Sequence, residues 1–79
     1  MAPAPEPASA VVQDLSSREL EVLRYLAAMQ STAEIAATMF ISVNTVRTHI
    51  RSILRKLGVS RRNQAVRRAR ERGLLPNGG

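Results

Sequence analysis

The stretch between Ser42 and Gly58, VNTVRTHIRSILRKL, leaves this chain little choice of fold. Val43, Val46, Ile50, Ile53, Leu54 and Leu57 recur at three- and four-residue spacing, which puts them in one stripe of a helix. Alternation of the kind a strand needs is absent. Ser42 can cap the first free N–H groups, and Ile41 can pack on Val46 one turn in. At the far end Gly58 suits a left-handed residue, with Val59 returning onto Leu54. Such a helix cannot stand alone, so its apolar stripe demands partners.

Opposite that stripe lie Asn44, Thr48, Arg51 and Arg55, with Arg47 at the edge, while Thr45, His49 and Lys56 share the remaining flank. No acidic residue occurs between Met39 and Arg70. A helix facing only water usually carries both signs of charge; one facing phosphates does not. The net charge of +6 is also unevenly placed. Residues 1–40 hold Arg18 and Arg24 against Glu6, Asp14, Glu19, Glu21 and Glu34, whereas every cation in residues 41–79 is opposed by Glu71 alone. The partner of the second half is therefore polyanionic: nucleic acid first, an anionic membrane surface second.

Tyr25 and Phe40 are the only aromatic residues, so the core must be aliphatic, and stacking of single-stranded bases is disfavoured. There is no Cys, and His49 is the only His, which excludes a structural zinc site and a thiol nucleophile. No apolar run approaches the ~20 residues of a membrane span, and no signal peptide is visible, so a cytoplasmic place is expected by default. With no glycine-rich phosphate loop and no room for a pocket, an enzyme is not expected, nor are a cofactor, a metal, a small-molecule ligand or a membrane partner.

The remaining segments supply the partner helices. Residues 1–13 are rich in Ala and Pro, reading as a disordered tail or linker, and residues 76–79 read as a second tail. A first helix is expected over about 16–29, with Ser16 and Glu19 as a capping box and Leu15 stapled to Leu20. Its apolar face is Leu20, Leu23 and Ala27, flanked by Val22 and Leu26, with Tyr25 as a packing residue; Arg18, Glu21 and Arg24 point to water. A second, over 31–40, repeats the box with Ser31 and Glu34 and turns Ile35, Ala36 and Met39 inward. The third is 42–57. The fourth, over 60–72, is capped by Ser60 and ends at Gly73, with Ala65, Val66 and Ala69 inward and Leu74 and Leu75 folding back. The result is an all-α domain of four helices over 14–75. A short capped helix, an abrupt turn and a longer basic helix outline a helix-turn-helix.

With these helices placed, the chain resembles the DNA-binding domain of the LuxR/NarL class of bacterial transcription regulators. The resemblance spans 15–75 and rests on LSSRELEVL, TAEIA, SVNTVRTHI running into RKLGVS, and RRNQAVRRA, all in register. The wording of the second half is similar to larger LuxR-like or MalT-like regulators that carry this domain at the C-terminus. The resemblance implies sequence-specific binding of double-stranded DNA for transcription regulation, with the third helix in the major groove. It implies base contacts from Arg47, Thr48 and Arg51. Phosphate contacts are expected from Ser31, Thr32, Asn44, Thr45, Arg55 and Lys56, with His49 a packing or phosphate-contacting group. The family uses its last helix between copies, which makes Arg61, Gln64, Arg67 and Arg68 the candidate dimer face. A second copy on DNA, and RNA polymerase if the protein activates, are the implied partners.

Two departures bear on this. Where the family has Gly after the first helix, Met29 and Gln30 stand here, so the first link is expected to take another route or to be looser. Two Arg-rich fourth helices would repel each other, so DNA is expected to bring two copies together. Glu19 and Arg62 match characteristic family positions and are expected to pair. The alternatives are a sigma-factor-like promoter reader, which the Gly58-Val59-Ser60 link and fourth helix oppose, and a protein or anionic-membrane module using the Arg-rich fourth helix.

Overall fold

The structure is a computed structural model and describes residues 15–75; the tails expected at 1–13 and 76–79 lie outside the described residues. Four helices follow in order: α1 Ser17–Ala27, α2 Thr32–Met39, α3 Val43–Leu57 and α4 Arg62–Glu71. No strand occurs among the described residues. The all-α, four-helix expectation holds, and each helix is shorter than the sequence suggests by one or two residues at an end.

The first three helices start as their sequences require. Ser16, Ser31 and Ser42 each accept a bond from the backbone N–H three residues on, at 3.1, 3.1 and 3.0 Å. Glu19 and Glu34 return the favour to the cap N–H groups at 2.9 and 2.8 Å. The fourth start departs from expectation. Ser60 does not cap α4 with its own hydroxyl; the Gln64 side-chain oxygen reaches back and accepts from the N–H groups of Ser60 and Arg61 at 3.1 and 3.2 Å. An amide three residues in supplies the reverse half of the box when the cap residue, Arg61, has no acceptor to offer.

All four helices end in one hydrogen-bond pattern. An N–H two residues past α2 and α3, and three residues past α1 and α4, bonds back five residues: Gln30 to Tyr25, Ile41 to Ala36, Val59 to Leu54 and Leu74 to Ala69, at 2.8–3.1 Å. This motif puts the preceding residue in the left-handed region. Gly58 and Gly73 occupy it with φ of 70° and 76°. Met29 and Phe40 occupy it too, with φ of 64° and 58°. The expectation of a different or looser first link is therefore corrected: Met29 takes the glycine conformation. Its side chain, like that of Phe40, is exposed, so nothing crowds it. A non-glycine residue there costs about 1–2 kcal/mol, which the two closing bonds of the motif offset.

The core is aliphatic throughout. Val22, Leu23 and Leu26 of α1 meet Ile35 and Met39 of α2, Val46, Ile53 and Leu57 of α3, and Ala65 and Ala69 of α4, with Leu15 and Leu75 closing the two ends. Tyr25 packs half-buried against it. Helix α3 touches each of the other three, and α4 also lies on α1. Fully burying Leu23, Ile35, Ile53 or Leu57 contributes about 1.5–3 kcal/mol each. The small Ala65 and Ala69 let the α4 backbone come close to its neighbours.

One charged group joins this core. Glu19 is 5% exposed. Its carboxylate lies 3.0 Å from the Lys56 ammonium, takes the Ser16 N–H, and accepts from the Ser52 hydroxyl. Burial alone would raise its pKa, but these bonds and the Lys56 charge win and hold it at about 2, against an ordinary 4.5. The expected Glu19–Arg62 pair is thus overturned. Arg62 begins α4 and turns instead to the α1–α2 link, where its Nη2 donates to the Gln30 carbonyl at 2.7 Å. Lys56 is the cation that faces α1.

Candidate nucleic-acid interface

The outward side of α3 carries Asn44, Arg47, Thr48, Arg51 and Arg55, all exposed. Their common face follows from the helical period, since the buried Val46, Ile53 and Leu57 fix the other side against the core. Among the described residues, none hydrogen-bonds to or pairs with the guanidinium groups of Arg47, Arg51 or Arg55. Five donors and no acceptor of their own leave such groups ready for a carboxylate, a phosphate or a guanine edge.

Thr48 is committed differently. Its hydroxyl donates to the Asn44 carbonyl at 3.0 Å, one turn back along the helix. With the oxygen turned to the backbone, the methyl group is what Thr48 presents outward. Thr45 has its hydroxyl 2.9 Å from that of Ser42 and so belongs to the helix start, although it remains exposed. Ser31 and Thr32 open α2, where the first N–H groups have no partner within the helix. Ser31 is exposed and Thr32 half-buried.

Lys56 does not share this face. Its side chain is 26% exposed and its ammonium lies on Glu19, so of the residues expected at phosphates it is the one already paired with a carboxylate. The flank of α3 that carries Lys56 and Ser52 is the side packed on α1, which periodicity alone does not distinguish from a solvent-facing flank. His49 is half-buried on the same flank. Ser52 was missed by sequence reasoning; its position four residues before Lys56 was the available signal.

On α4, the candidate dimer residues divide. Arg61 and Arg67 are exposed. Gln64 is tied to the helix start. Arg68 donates to the Leu57 carbonyl at 3.0 Å and lies 3.7 Å from Glu71, so it secures the end of α3. Among the described residues no cluster of His, Cys, Asp and Glu could hold a metal, and no helix is long and apolar enough to cross a membrane.

A short capped α2, a left-handed turn at Phe40 and a longer α3 with an outward basic face constitute a helix-turn-helix domain. Residues 13–69 match the family profile described as bacterial regulatory proteins, luxR family, and the chain belongs to that family. It is 44% identical over 68 residues to a probable transcriptional regulatory protein NarL of Mycobacterium tuberculosis, an alignment covering 86% of this chain and 32% of that protein. The chain thus spans about a third of the length of that relative. The spore germination protein GerE of Bacillus subtilis is 50% identical over 52 residues, 66% of this chain and 70% of its own. The solved structure of transcription factor GerE superposes with a TM-score of 0.75 at 40% identity, covering 78% of this chain and 92% of that one.

Proposed function

We propose that the chain binds double-stranded DNA in a sequence-dependent way, as the DNA-reading part of a bacterial transcription regulator. The observation that carries this reading is the outward face of α3: exposed, cationic, opposed by no carboxylate among the described residues, on a helix held by the core on its other sides. Arg47, Thr48 and Arg51 occupy its leading turns, from which helix-turn-helix proteins read base edges in the major groove. Arg pairs bidentately with guanine O6 and N7, and the outward Thr48 methyl suits a thymine methyl. Asn44, Thr45, Arg55, Ser31 and Thr32 serve the sugar-phosphate backbone, which positions the helix without reading sequence. The names of the relatives, transcriptional regulators, support the same reading.

Two copies on half-sites about 34–36 Å apart fit the family's use of its last helix, with Arg61 and Arg67 at the contact. Because these faces are cationic, the pairing depends on DNA. RNA polymerase is the further partner if the protein activates.

Selection of bound duplexes from a random pool, followed by footprinting, tests the proposal. A recurrent motif with two protected half-sites one helical turn apart is the expected result. Enrichment of no motif, or amide shifts on DNA titration that cluster outside residues 42–56, would overturn it.

A further inference from the structure

Arg62, at the start of α4, is a cation that the dimer reading does not use. It lines a shallow concavity together with Thr32 at the start of α2 and Arg47, Ile50, Arg51 and Leu54 of α3. Three guanidinium groups from two helices thus border one hollow with an aliphatic floor and no acidic residue in its lining. Like charges gathered around one hollow repel, and an anion between them relieves the repulsion. Arg62 is also held in place: one of its N–H groups is bonded to the Gln30 carbonyl at 2.7 Å, two residues before Thr32. That bond uses one donor of five and leaves the rest available, with the rotamer already fixed.

We propose that this concavity seats one backbone phosphate of the bound duplex, and that Arg62 is a phosphate contact supplied by α4. The inference rests on the DNA-binding reading and extends the interface from α2 and α3 to a third helix. Arg47 and Arg51, at the α3 rim of the seat, add positive charge to it while reaching on to bases. A phosphodiester fits better than a carboxylate ligand because its oxygens fan toward several donors at once. The Gln30 bond gives the seat a further property. The link that positions the start of α2 and the residue that grips the phosphate are joined, so the contact reports whether α4 is docked.

A merely structural Arg62, clamping the link, would change affinity without changing the number of ions released. A phosphate contact changes both. Binding of one duplex is therefore measured between about 50 and 200 mM salt for the wild type, Arg62→Gln and Arg62→Lys, with thermal unfolding of each protein alongside. For Arg62→Gln the log–log slope becomes shallower by about 0.9; Arg62→Lys, which keeps the charge, retains most of it. Weaker binding with an unchanged slope makes Arg62 a clamp only and overturns the proposal, as does unchanged binding. If Arg62→Gln fails to fold, duplexes carrying a single neutral methylphosphonate are scanned with the wild type and Arg62→Lys. One position then weakens the wild type, and weakens Arg62→Lys by a clearly smaller factor. Equal losses in both proteins at every position overturn the proposal. Inorganic phosphate titrated into the free domain is a third arm: a saturable shift of the Arg62 Nε–H in the micromolar range assigns the hollow to a free anion instead, also overturning it. Because the seat reads no sequence, these slopes are measurable on any duplex. A wild type that binds without sequence preference sinks the sequence-reading proposal and leaves the seat standing; one that binds no duplex sinks both.

Discussion

Arg51 and Lys56 sit on the same helix, carry the same charge and come from the same acid-free stretch, yet their surroundings differ. Around Arg51 the described residues offer no carboxylate, and the charged groups that share its hollow, Arg47 and Arg62, are cations. Around Lys56 the fold places Glu19, 3.0 Å away and almost fully buried. The first arrangement raises the energy of the free protein slightly and is relieved by an external anion; the second is already satisfied internally. A cation's use is thus set by what the tertiary structure places opposite it, and the linear charge pattern does not contain that information.

The largest effect should come from breaking the satisfied side. Glu19→Gln removes a carboxylate whose folded pKa, about 2, lies below its ordinary 4.5. A depressed carboxylate stabilises fully above its unfolded pKa, and the contribution is lost as pH falls through the folded value. Denaturant unfolding should therefore show wild-type stability falling between about pH 4.5 and pH 2, by on the order of 3 kcal/mol. Glu19→Gln should be less stable at pH 7 by about 2–3 kcal/mol and should lose that slope. From pH 5 to 8 the group stays ionised in both states, so Glu19 contributes no pH dependence there. If Glu19→Gln also altered which duplex is preferred, the separation of the two sides would fail.

Arg51→Ala tests the other side. It should lower preference for the selected duplex over a scrambled one by about 10- to 100-fold, matching about 1–3 kcal/mol for a bidentate base contact, with unfolding stability unchanged within about 0.5 kcal/mol. Thr48→Ala should change preference less, since only a methyl group is lost. Next in size is a direct contrast between neighbours. Lys56→Ala should cost about 1–2 kcal/mol of stability, and Arg55→Ala should leave stability alone while weakening all duplexes alike and reducing the salt slope by about 0.9. Competition binding and unfolding curves on the same preparations would decide this pair.

The smallest effects concern how α3 is delivered to its place. Gly58→Ala meets no atom within 4 Å, so its expected loss of about 1 kcal/mol is purely the strain of φ near 70°. Met29→Gly relieves the same strain and should gain up to about 1 kcal/mol in unfolding experiments, less what a freer unfolded chain takes back. A loss from Met29→Gly would show that the exposed Met side chain contributes contacts of its own.

Four helices, their three serine caps and both glycine ends were legible because each depends on residues within one turn. The five outward residues of α3 were legible for the same reason: a 3.6-residue period and six apolar positions determine the opposite face. What was not legible depends on distance along the chain or on an absent marker. Glu19 and Lys56 are 37 residues apart, and nothing local favours Lys56 over Arg62 as the partner. Met29 lacks the glycine that normally announces a left-handed end, so its conformation shows only once the Gln30–Tyr25 bond is seen. Ser60 outranked Gln64 as a cap on propensity alone, while the structure uses the longer side chain.

Glu19 gathers the start of α1, Ser52 and Lys56 into one knot and leaves the tip of α3 out of it. A regulator built this way can exchange the amino acids at its tip for others without loosening the shank that holds them. New operator preferences are then open to single substitutions, each nearly neutral for folding, and families of such domains can diverge in what they read while keeping one scaffold.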